Sequence, residues 1–297
     1  MNILANSGGI GAQVLNFDLS KPLGDEEFCN LELALGTHSV LCFPSQQLSS
    51  TQLKEFAERF GTLEINVANT FQDPVHPEVM ILSNKVDATG QPIGFKDAGQ
   101  DWHTDMSYSK DIAFANVLYG TEIPYRDGQP LGNTAFCSTR RVYEAVPEDL
   151  KEQLKGMTVT HDFAKFWDNM RKRPGSARPP LTPAQRAAKP PVSHPIFIKH
   201  PISGDTVLYA NPGYAIRINE LGEAESDRIL NMLFELQLKP EFHYEHRWRV
   251  GDVLMWDNIG TLHNAVADYN SDEHRYILRC QVMADRYFPC GTQAMAI

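Results

Sequence analysis

The stretch "EFHYEHRWRVGDVLMWDNIGTLHNA", residues 241–265, decides the fold class. Its first ten residues alternate between two sets of side chains, and this period-2 pattern is typical of a strand with two unlike faces. The sets are Phe242, Tyr244, His246, Trp248 and Val250 on one face and His243, Glu245, Arg247 and Arg249 on the other. After Gly251 and Asp252 comes the short apolar run "VLMW", which indicates a buried strand.

Strand signals recur along the chain without regular strand–helix alternation. "SVLCFP" at 39–44 and "HRYILRCQVMA" at 274–284 are further β-type runs. Three amphipathic segments predict helices, and the second opens with a capping box of Ser49 and Gln52. These helices span 25–36, 49–61 and 223–240 and end at Gly36, Gly61 and Pro240. The pattern predicts a mostly β fold with flanking helices, an antiparallel sandwich or jelly roll.

Composition places the 297 residues among soluble globular proteins, with 42% hydrophobic and 22% charged residues. The N-terminal sequence has no leader pattern, and no window approaches the roughly 18 apolar residues of a membrane span. The net charge of -10 argues against a nucleic acid as the main partner. Five scattered cysteines predict a reduced, cytoplasmic protein. No linker divides the sequence, so residues 1–297 are expected to form a single domain.

One segment, residues 165–190, is positively charged, whereas the rest of the chain is negatively charged. It holds seven Lys and Arg against one Asp, so the remainder of the chain carries -16 (-10 minus +6). Five prolines and few large apolar residues predict a long, weakly structured excursion over the surface. It is either a solvated loop or a basic lid that attracts an anionic substrate.

"DWHTDMSY", residues 101–108, offers a pair of metal ligands. On a strand, His103 and Asp105 would point the same way, and two histidines with one carboxylate form the facial triad of non-haem Fe(II) oxygenases. The His-x-Asp/Glu motif has low specificity. About 1.2 matches are expected by chance in this sequence (10 × 37/297), and three occur. The other two begin at His76 and His243. His263, after the "VLMW" strand, could complete the triad or could be a structural histidine.

Arg275 and Arg279 lie four residues apart on a predicted strand and so share one of its faces, about 13 Å apart. On an outer face they would be two solvated cations. Lining a cavity, each guanidinium would be costly to bury unless an anion pairs with it. Periodicity alone leaves both alternatives open.

The ordered set of motifs resembles a known family. "WHTD" at 102–105, "GNTAF" at 132–136, "WDNIGTLHNAVADY" at 256–269 and "RYILR" at 275–279 are similar to segments of the taurine dioxygenase family of Fe(II)- and 2-oxoglutarate-dependent oxygenases. The similarity runs in the same order from about residue 8 to 284. The resemblance implies a double-stranded β-helix, a jelly roll, with Fe(II), 2-oxoglutarate and O₂ as cofactor and cosubstrates.

Carried over residue by residue, the resemblance makes His103, Asp105 and His263 the iron ligands. It makes Thr134 and Arg275 the partners of the distal carboxylate of 2-oxoglutarate. No general acid or base is required beyond the metal ligands. The resemblance also implies a substrate site, formed by Arg279, Asn66, Met106, Phe163 and Tyr214. Arg279 would face either the acidic group of the substrate or the inner carboxylate of 2-oxoglutarate.

The sequence departs from the family pattern at positions that contact the substrate in taurine dioxygenase. Asn66 stands where taurine dioxygenase has a histidine, and Gly99 replaces an asparagine four residues before the first ligand, so taurine is disfavoured. One extra residue separates His263 from Arg275. The predicted activity is hydroxylation of a small anionic molecule, such as a sulfonate, a sulfate ester, or an aryloxy- or other carboxylic acid, with release of succinate and CO₂.

Two alternatives to that hydroxylation stay open. One is an enzyme of the same family that performs desaturation or a related oxidative tailoring step with the same ligands. The other is a non-catalytic jelly-roll protein that binds a small anion. No membrane or nucleic-acid partner is expected, and the resemblance implies a homo-oligomer, a dimer or tetramer.

Overall fold

The computed structural model describes residues 1–65, 70–96, 98–173, 178–289 and Thr292. Within these residues the strands are β1 (Asn2–Ala5), β2 (Ala12–Leu15), β3 (Val40–Phe43), β4 (Met80–Ser83), β5 (Ala113–Glu122), β6 (Tyr125–Arg126), β7 (Gln129–Pro130), β8 (Thr134–Ser138), β9 (Thr158–His161), β10 (Val192–Pro195), β11 (Phe197–Lys199), β12 (Thr206–Leu208), β13 (Ala215–Ile218), β14 (His243–His246), β15 (Val253–Asp257), β16 (Thr261–Ala265) and β17 (Tyr276–Met283). The helices are α1 (Asp25–His38), α2 (Ser50–Glu58), α3 (Thr139–Ala145), α4 (Glu148–Leu154), α5 (Phe163–Arg171), α6 (Pro183–Ala188) and α7 (Glu223–Gln237). A 3-10 turn covers Pro240–Phe242.

Two sheets pack against each other and enclose the region that matters for function. The large sheet has the strand order β1-β2-β3-β15-β5-β17-β4, and the small sheet has the order β14-β8-β16. Neighbouring strands are antiparallel except β2 and β3. One core cluster contains Phe136 from the small sheet together with Leu118, Leu254 and Ile277 from the large sheet. Strand-rich sheets packed in this way confirm the predicted jelly roll, with the helices outside it.

The strand "VLMWD" shows how the sequence serves both faces of the large sheet. Val253 and Met255 join the cluster that packs against α1 and α2, whereas Leu254 and Trp256 face the small sheet. Successive residues of a strand point to opposite faces, so a strand between two cores is apolar throughout. The "VLMW" prediction of a buried strand is therefore confirmed.

The same alternation resolves the two arginines. In β17, Leu278, Cys280 and Val282 face the helices, while Ile277 faces the small sheet. Arg279 lies two residues from Ile277 and therefore points between the two sheets, and Arg275 comes directly before the first residue of β17. Arg275 is 7% exposed. The guanidiniums line the interior, and the solvated alternative is wrong for Arg275.

The predicted helices exist, with shifted ends. α1 runs through Gly36 and ends at Ser39, whose φ of 63° is left-handed. Gly36 serves packing instead, because a Cβ there would lie 2.6 Å from the Ile202 Cγ2. The capping box of α2 is confirmed, since Ser49 Oγ accepts from the Gln52 N–H at 3.2 Å and the Gln52 side chain accepts from the Ser49 N–H at 2.9 Å. α3 and α4 were not predicted, and the strand expected over 241–250 is limited to β14.

The described parts of the basic segment, residues 165–173 and 178–190, are more ordered than predicted. α5 and α6 occupy much of residues 165–190, so weak structure is the wrong expectation for these parts. Asp162 caps α5 by accepting from the Ala164 N–H at 2.8 Å, and Thr182 caps α6. Local caps of this kind stabilise helices without a large apolar core. No helix among the described residues has the length and apolar composition to cross a membrane.

Candidate metal centre

His103 and His263 are joined through their main chains. His103 N–H donates to the His263 carbonyl at 3.1 Å, and His263 N–H donates to the His103 carbonyl at 2.8 Å. This isolated antiparallel bridge links the segment after Gly99 to β16, and the two rings lie with centroids 4.2 Å apart. A mutually bonded pair of residues projects both side chains to the same face. The two imidazoles therefore converge because of backbone pairing.

Asp105 follows this bridge in a turn, so the alternation of a strand is not what brings Asp105 to His103. The segment is bounded by two residues with positive φ, Asp101 at 87° and Met106 at 58°. Such conformations are costly for residues other than glycine and concentrate at functional sites. The turn returns the Asp105 carboxylate towards the histidines. Asp105 Oδ1 lies 3.5 Å from His103 Nε2, and Oδ2 lies 3.5 Å from His263 Nε2.

The donor set suits a divalent transition metal. His103, Asp105 and His263 offer two imidazole nitrogens and a carboxylate oxygen within 4.8 Å of one another. His103 Nδ1 lies 2.7 Å from the Asp101 carbonyl, which only accepts, so Nδ1 carries the proton and Nε2 keeps its lone pair. Burial lowers the pKa of His263 well below its usual value and keeps the ring neutral. Burial opposes ionisation of Asp105, but Arg279 and the two histidines hold the pKa of its carboxyl well below the usual range.

The other histidine–x–acid motifs lie elsewhere. His76 Nε2 contacts Thr51 Oγ1 at 2.7 Å, and His243 Nε2 contacts the Gln237 carbonyl at 2.7 Å. A second buried cluster, Cys42, His246 and Asp252, lies between the sheets. There the imidazole and carboxylate already pair at 3.2 Å, and burial raises the pKa of the Cys42 thiol, which keeps it protonated. The triad predicted at His103 is the better ligand set.

Asp105 is held by two further residues of the large sheet. Arg279 Nη2 and Asn116 Nδ2 donate to Asp105 Oδ2, at 2.8 and 2.9 Å. Arg279 Nε donates to Asn116 Oδ1 at 2.8 Å, and its Nη2 also donates to Gln281. Two of the three Arg279 nitrogens, Nε and Nη2, thus donate to protein groups, and one of these groups is the carboxylate of the triad.

Arg275 forms the second cationic position. Its Nε is buried with no hydrogen-bond partner among the described residues, and burial lowers the pKa of the guanidinium. Gly132 makes room for it, because a Cβ on Gly132 would lie 2.8 Å from the Arg275 Cδ. A buried, incompletely satisfied guanidinium is expensive unless an anion binds it. The arrangement therefore fits a carboxylate.

Thr134 begins β8 two residues after Gly132 and is 3% exposed. Its Oγ1 accepts from the Trp248 indole N–H at 3.1 Å, which leaves the hydroxyl proton free to donate elsewhere. Thr134 pairs in register with Ala265, two residues from His263 on β16. The predicted partner of the distal carboxylate is thereby placed on the strand next to a histidine of the triad.

Aromatic rings cover the triad. Tyr214 and Phe166 both lie against His103, with ring centroids 6.1 and 5.0 Å away, and stack on each other at 5.0 Å. Phe163 and Tyr214 flank Tyr108 at 5.0 and 4.8 Å. Phe163 and Phe166 belong to α5, so the first helix of the basic segment lies over the triad.

Met106 and Asn66 complete the predicted substrate set. Met106 is buried and its sulfur lies 3.6 Å from the Tyr108 hydroxyl, so it shares the aromatic wall. Asn66 lies outside the described residues. The structure therefore brings together Met106, Phe163, Tyr214 and Arg279 around the triad.

The comparison with known proteins matches this geometry. The family model described as taurine catabolism dioxygenase TauD, TfdA family, matches residues 4–281. The chain belongs to this family. Members of the TauD/TfdA family are 2-oxoglutarate-dependent dioxygenases, and the protein is an Fe(II)- and 2-oxoglutarate-dependent dioxygenase that uses O₂.

Individual relatives within the TauD/TfdA family share most of the chain. Pentalenolactone F synthase of Streptomyces avermitilis is 31% identical, over 93% of this chain and 92% of its own length. The α-ketoglutarate-dependent 2,4-dichlorophenoxyacetate dioxygenase of Cupriavidus pinatubonensis is 33% identical, over 92% and 94%. A crystal structure of a taurine dioxygenase from Burkholderia xenovorans is 26% identical, with a TM-score of 0.76 over 95% of this chain and 89% of that one.

Sequence reasoning missed Asn116 and Phe166, which contact Asp105 and His103 of the triad. Asn116 stands in the apolar run "AFANVLYG", and a lone amide in a buried strand is a signal that was available, because such a group needs partners. Phe166 lies in the segment interpreted as weakly structured, where no periodicity pointed to the triad.

Proposed function

We propose that the dioxygenase hydroxylates a small anionic organic substrate, with His103, Asp105 and His263 holding Fe(II). The observation that carries this proposal is the convergence of the three donor groups within 4.8 Å on the His103–His263 bridge. Two neutral imidazoles and one carboxylate leave coordination positions for a cosubstrate. When bound, Fe(II) with 2-oxoglutarate and O₂ supplies the oxidising power for C–H hydroxylation, with succinate and CO₂ as coproducts.

The chain's own residues bind and orient the two organic molecules. Arg275 and Thr134 are assigned to the distal carboxylate of 2-oxoglutarate, since both are buried polar groups with donors available for an anion. Charge-assisted hydrogen bonds of this kind contribute about 1.5–3 kcal/mol each. Orientation of the cosubstrate at one end leaves its other end for the triad.

The primary substrate is assigned to the wall formed by Tyr214, Phe163 and Met106. Aromatic and thioether side chains there support a partly apolar molecule. Arg279 supplies positive charge, although its Nε and Nη2 already donate to Asn116 and Asp105. Contact with the acidic group of the substrate is therefore assigned to Nη1.

The relatives support an acidic substrate without identifying it. One of them acts on 2,4-dichlorophenoxyacetate, an aryloxy acid. The other is named for the synthesis of pentalenolactone F, which favours oxidative tailoring as the second candidate function. Mass analysis of the product separates the two, because hydroxylation adds one oxygen atom and desaturation removes two hydrogen atoms.

An anaerobic titration tests the proposed ligands without knowledge of the substrate. Fe(II) and 2-oxoglutarate are added to the protein, and the visible metal-to-ligand charge-transfer band of the chelate is recorded. We expect the band in the wild type and its loss in His103→Ala and His263→Ala. His76→Ala, from another histidine–x–acid motif, is the matched control and should retain it. A band that survives in His103→Ala would overturn the assignment.

A further inference from the structure

Asn116 is a fully buried amide in the middle of β5, between Ala115 and Val117, which pack in the core on the helix side. Its own side chain points to the opposite face, towards the small sheet. Burying an amide without hydrogen-bond partners costs free energy, because the group loses its hydrogen bonds to water. Both polar atoms of the Asn116 side chain, Oδ1 and Nδ2, therefore need hydrogen-bond partners inside the protein.

Both ends of the Asn116 amide are engaged. Nδ2 donates to Asp105 Oδ2 at 2.9 Å and to Asn258 Oδ1 at 3.1 Å. Oδ1 accepts from Arg279 Nε at 2.8 Å, while Arg279 Nη2 donates to the same Asp105 oxygen at 2.8 Å. Asn116, Arg279 and Asp105 thus form a closed ring of hydrogen bonds.

Chemistry fixes the direction of the amide. A guanidinium only donates and an ionised carboxylate only accepts, so the Asn116 oxygen must face Arg279 and its nitrogen must face Asp105. Asn258 secures this orientation from behind. Its Oδ1 also accepts from the Trp256 indole N–H at 3.1 Å, and its carbonyl accepts from the Thr104 hydroxyl at 2.5 Å.

The ring leaves the two oxygens of Asp105 unequal. Each oxygen lies 3.5 Å from one triad imidazole, Oδ1 from His103 Nε2 and Oδ2 from His263 Nε2. Oδ2 also receives the two strong donors of Asn116 and Arg279, which occupy its lone pairs, whereas neither of them reaches Oδ1. We propose that Asn116 is a positioning residue of the metal centre, which fixes the rotation of the Asp105 carboxylate so that Oδ1 is presented to the metal and which aligns Arg279 beside it. This inference rests on the proposed ligand role of Asp105. Groups that orient a ligand in this way change metal affinity by about 10–100-fold.

Co(II) binding to the metal-free protein tests the role of Asn116. Co(II) is titrated into wild type, Asn116→Leu and Asn116→Ala, and the visible absorption gives the Kd, while thermal unfolding of the metal-free proteins is recorded in parallel. Leucine keeps the branching of asparagine at Cγ and removes both the donor and the acceptor, although its methyl groups are larger, and alanine serves if leucine prevents folding. We expect the Kd for Co(II) to rise about 10–100-fold in each folded variant.

Gln46→Leu is the matched control. Gln46 is also a buried amide, which bonds to the main chain of Leu19, Phe17 and Pro44. Its replacement should lower the unfolding temperature but leave the Kd for Co(II) unchanged. An unchanged Kd in both folded Asn116 variants, or an equal rise in Gln46→Leu, would overturn the positioning role. If the Co(II) spectrum of His103→Ala were the same as that of the wild type, the result would instead contradict the proposed ligand set itself.

Discussion

His103 and His263 exchange both of their main-chain hydrogen bonds, so the two imidazoles of the triad are set by backbone pairing and not by side-chain packing alone. Rotating either ring away from the other would leave that pairing intact, whereas displacing either backbone would break it. The geometry of the centre therefore depends on small residues that allow the two segments to approach.

Gly213 is one such residue. A Cβ on Gly213 would lie 2.8 Å from the His103 Cβ and 3.1 Å from the Trp102 carbonyl, both tighter than ordinary contacts. We expect Gly213→Ala to displace His103 and to weaken Co(II) binding about tenfold or more, with a stability loss of about 1–3 kcal/mol. Gly222→Ala, where nothing lies within 4 Å, is the control and should bind Co(II) as the wild type does. Equal affinities in the two variants would show that His103 tolerates the shift.

Gly132 serves Arg275 in the same manner. It has a φ of 69°, and an added Cβ would lie 2.8 Å from both Cδ and Nε of Arg275. We expect Gly132→Ala to displace the guanidinium and to raise the Kd for 2-oxoglutarate at least tenfold while Co(II) affinity stays unchanged, measured by anaerobic titration. Gly128→Ala shares the positive φ, 74°, but meets nothing within 4 Å. Gly128→Ala should lose only the stability that a positive φ costs alanine, about 1–2 kcal/mol. If the Kd for 2-oxoglutarate rose equally in Gly128→Ala and Gly132→Ala, the role of Arg275 would be refuted.

The sequence predicted the β-rich class because strands between two cores alternate or run apolar, as in β15 and β17. It also predicted α2 from a capping box that is purely local. It could not predict the bridge between His103 and His263, because this pairing joins segments 160 positions apart and leaves no periodic pattern. His103 is a single bridged residue followed by a turn, so strand alternation, by which His103 and Asp105 would point the same way, does not describe this segment.

Which residues surround the triad was also only partly predictable. Tyr214 and Phe163, which the resemblance names as substrate residues, lie against His103 and Tyr108, and their role in substrate binding stays a prediction. The resemblance assigned Arg279 to a carboxylate or other acidic group of a bound molecule, whereas in the structure the side chain also bonds Asp105 and Asn116. These hydrogen bonds join side chains from β5, β17 and the turn that holds Asp105. The spacing of residues in the sequence does not predict such contacts.

His161 gives the stability of the metal-free protein a pH dependence. Burial, with His194 nearby, lowers its pKa well below the usual 6.5. Below about pH 6.5 the unfolded chain binds a proton that the folded chain does not, so the free energy of unfolding falls as the pH falls, by up to about 1.4 kcal/mol per pH unit for one histidine. We expect His161→Gln to reduce this slope between pH 6.5 and 5.5, measured by urea unfolding. Identical slopes in both proteins would contradict a neutral buried His161.

We expect the basic segment to act as a cover that can open. Arg173 docks it beside the triad, through Gln100 at 3.0 Å and Asp101 at 3.5 Å, but these groups are partly exposed and the contacts contribute only about 0.5–1 kcal/mol. Arg173→Ala should therefore increase chymotryptic cleavage within α5 two- to fivefold, and added 2-oxoglutarate with Co(II) should slow cleavage in the wild type.

Arg171→Ala provides the comparison for that experiment. Arg171 is the last residue of α5, two positions before Arg173, and within the described part of the chain it pairs only with Asp168, at 3.7 Å. Cleavage at the wild-type rate is expected for this variant. Cleavage in Arg173→Ala no faster than in Arg171→Ala would show that the Arg173 contacts do not hold the cover.

Trp167 gives the cover a built-in optical probe. Its indole N–H donates to the Pro179 carbonyl at 2.8 Å, and its ring packs at 6.0 Å from Phe163 and beneath the Arg178 guanidinium at 4.9 Å. Trp248 and Trp256 are buried between the sheets, away from solvent. Trp102 is partly exposed, as Trp167 is, so the measurement uses Trp102→Phe. In that variant the emission quenched by a water-soluble quencher will come largely from the covering helix, and the rate of its movement is accessible to stopped-flow fluorescence without any attached dye.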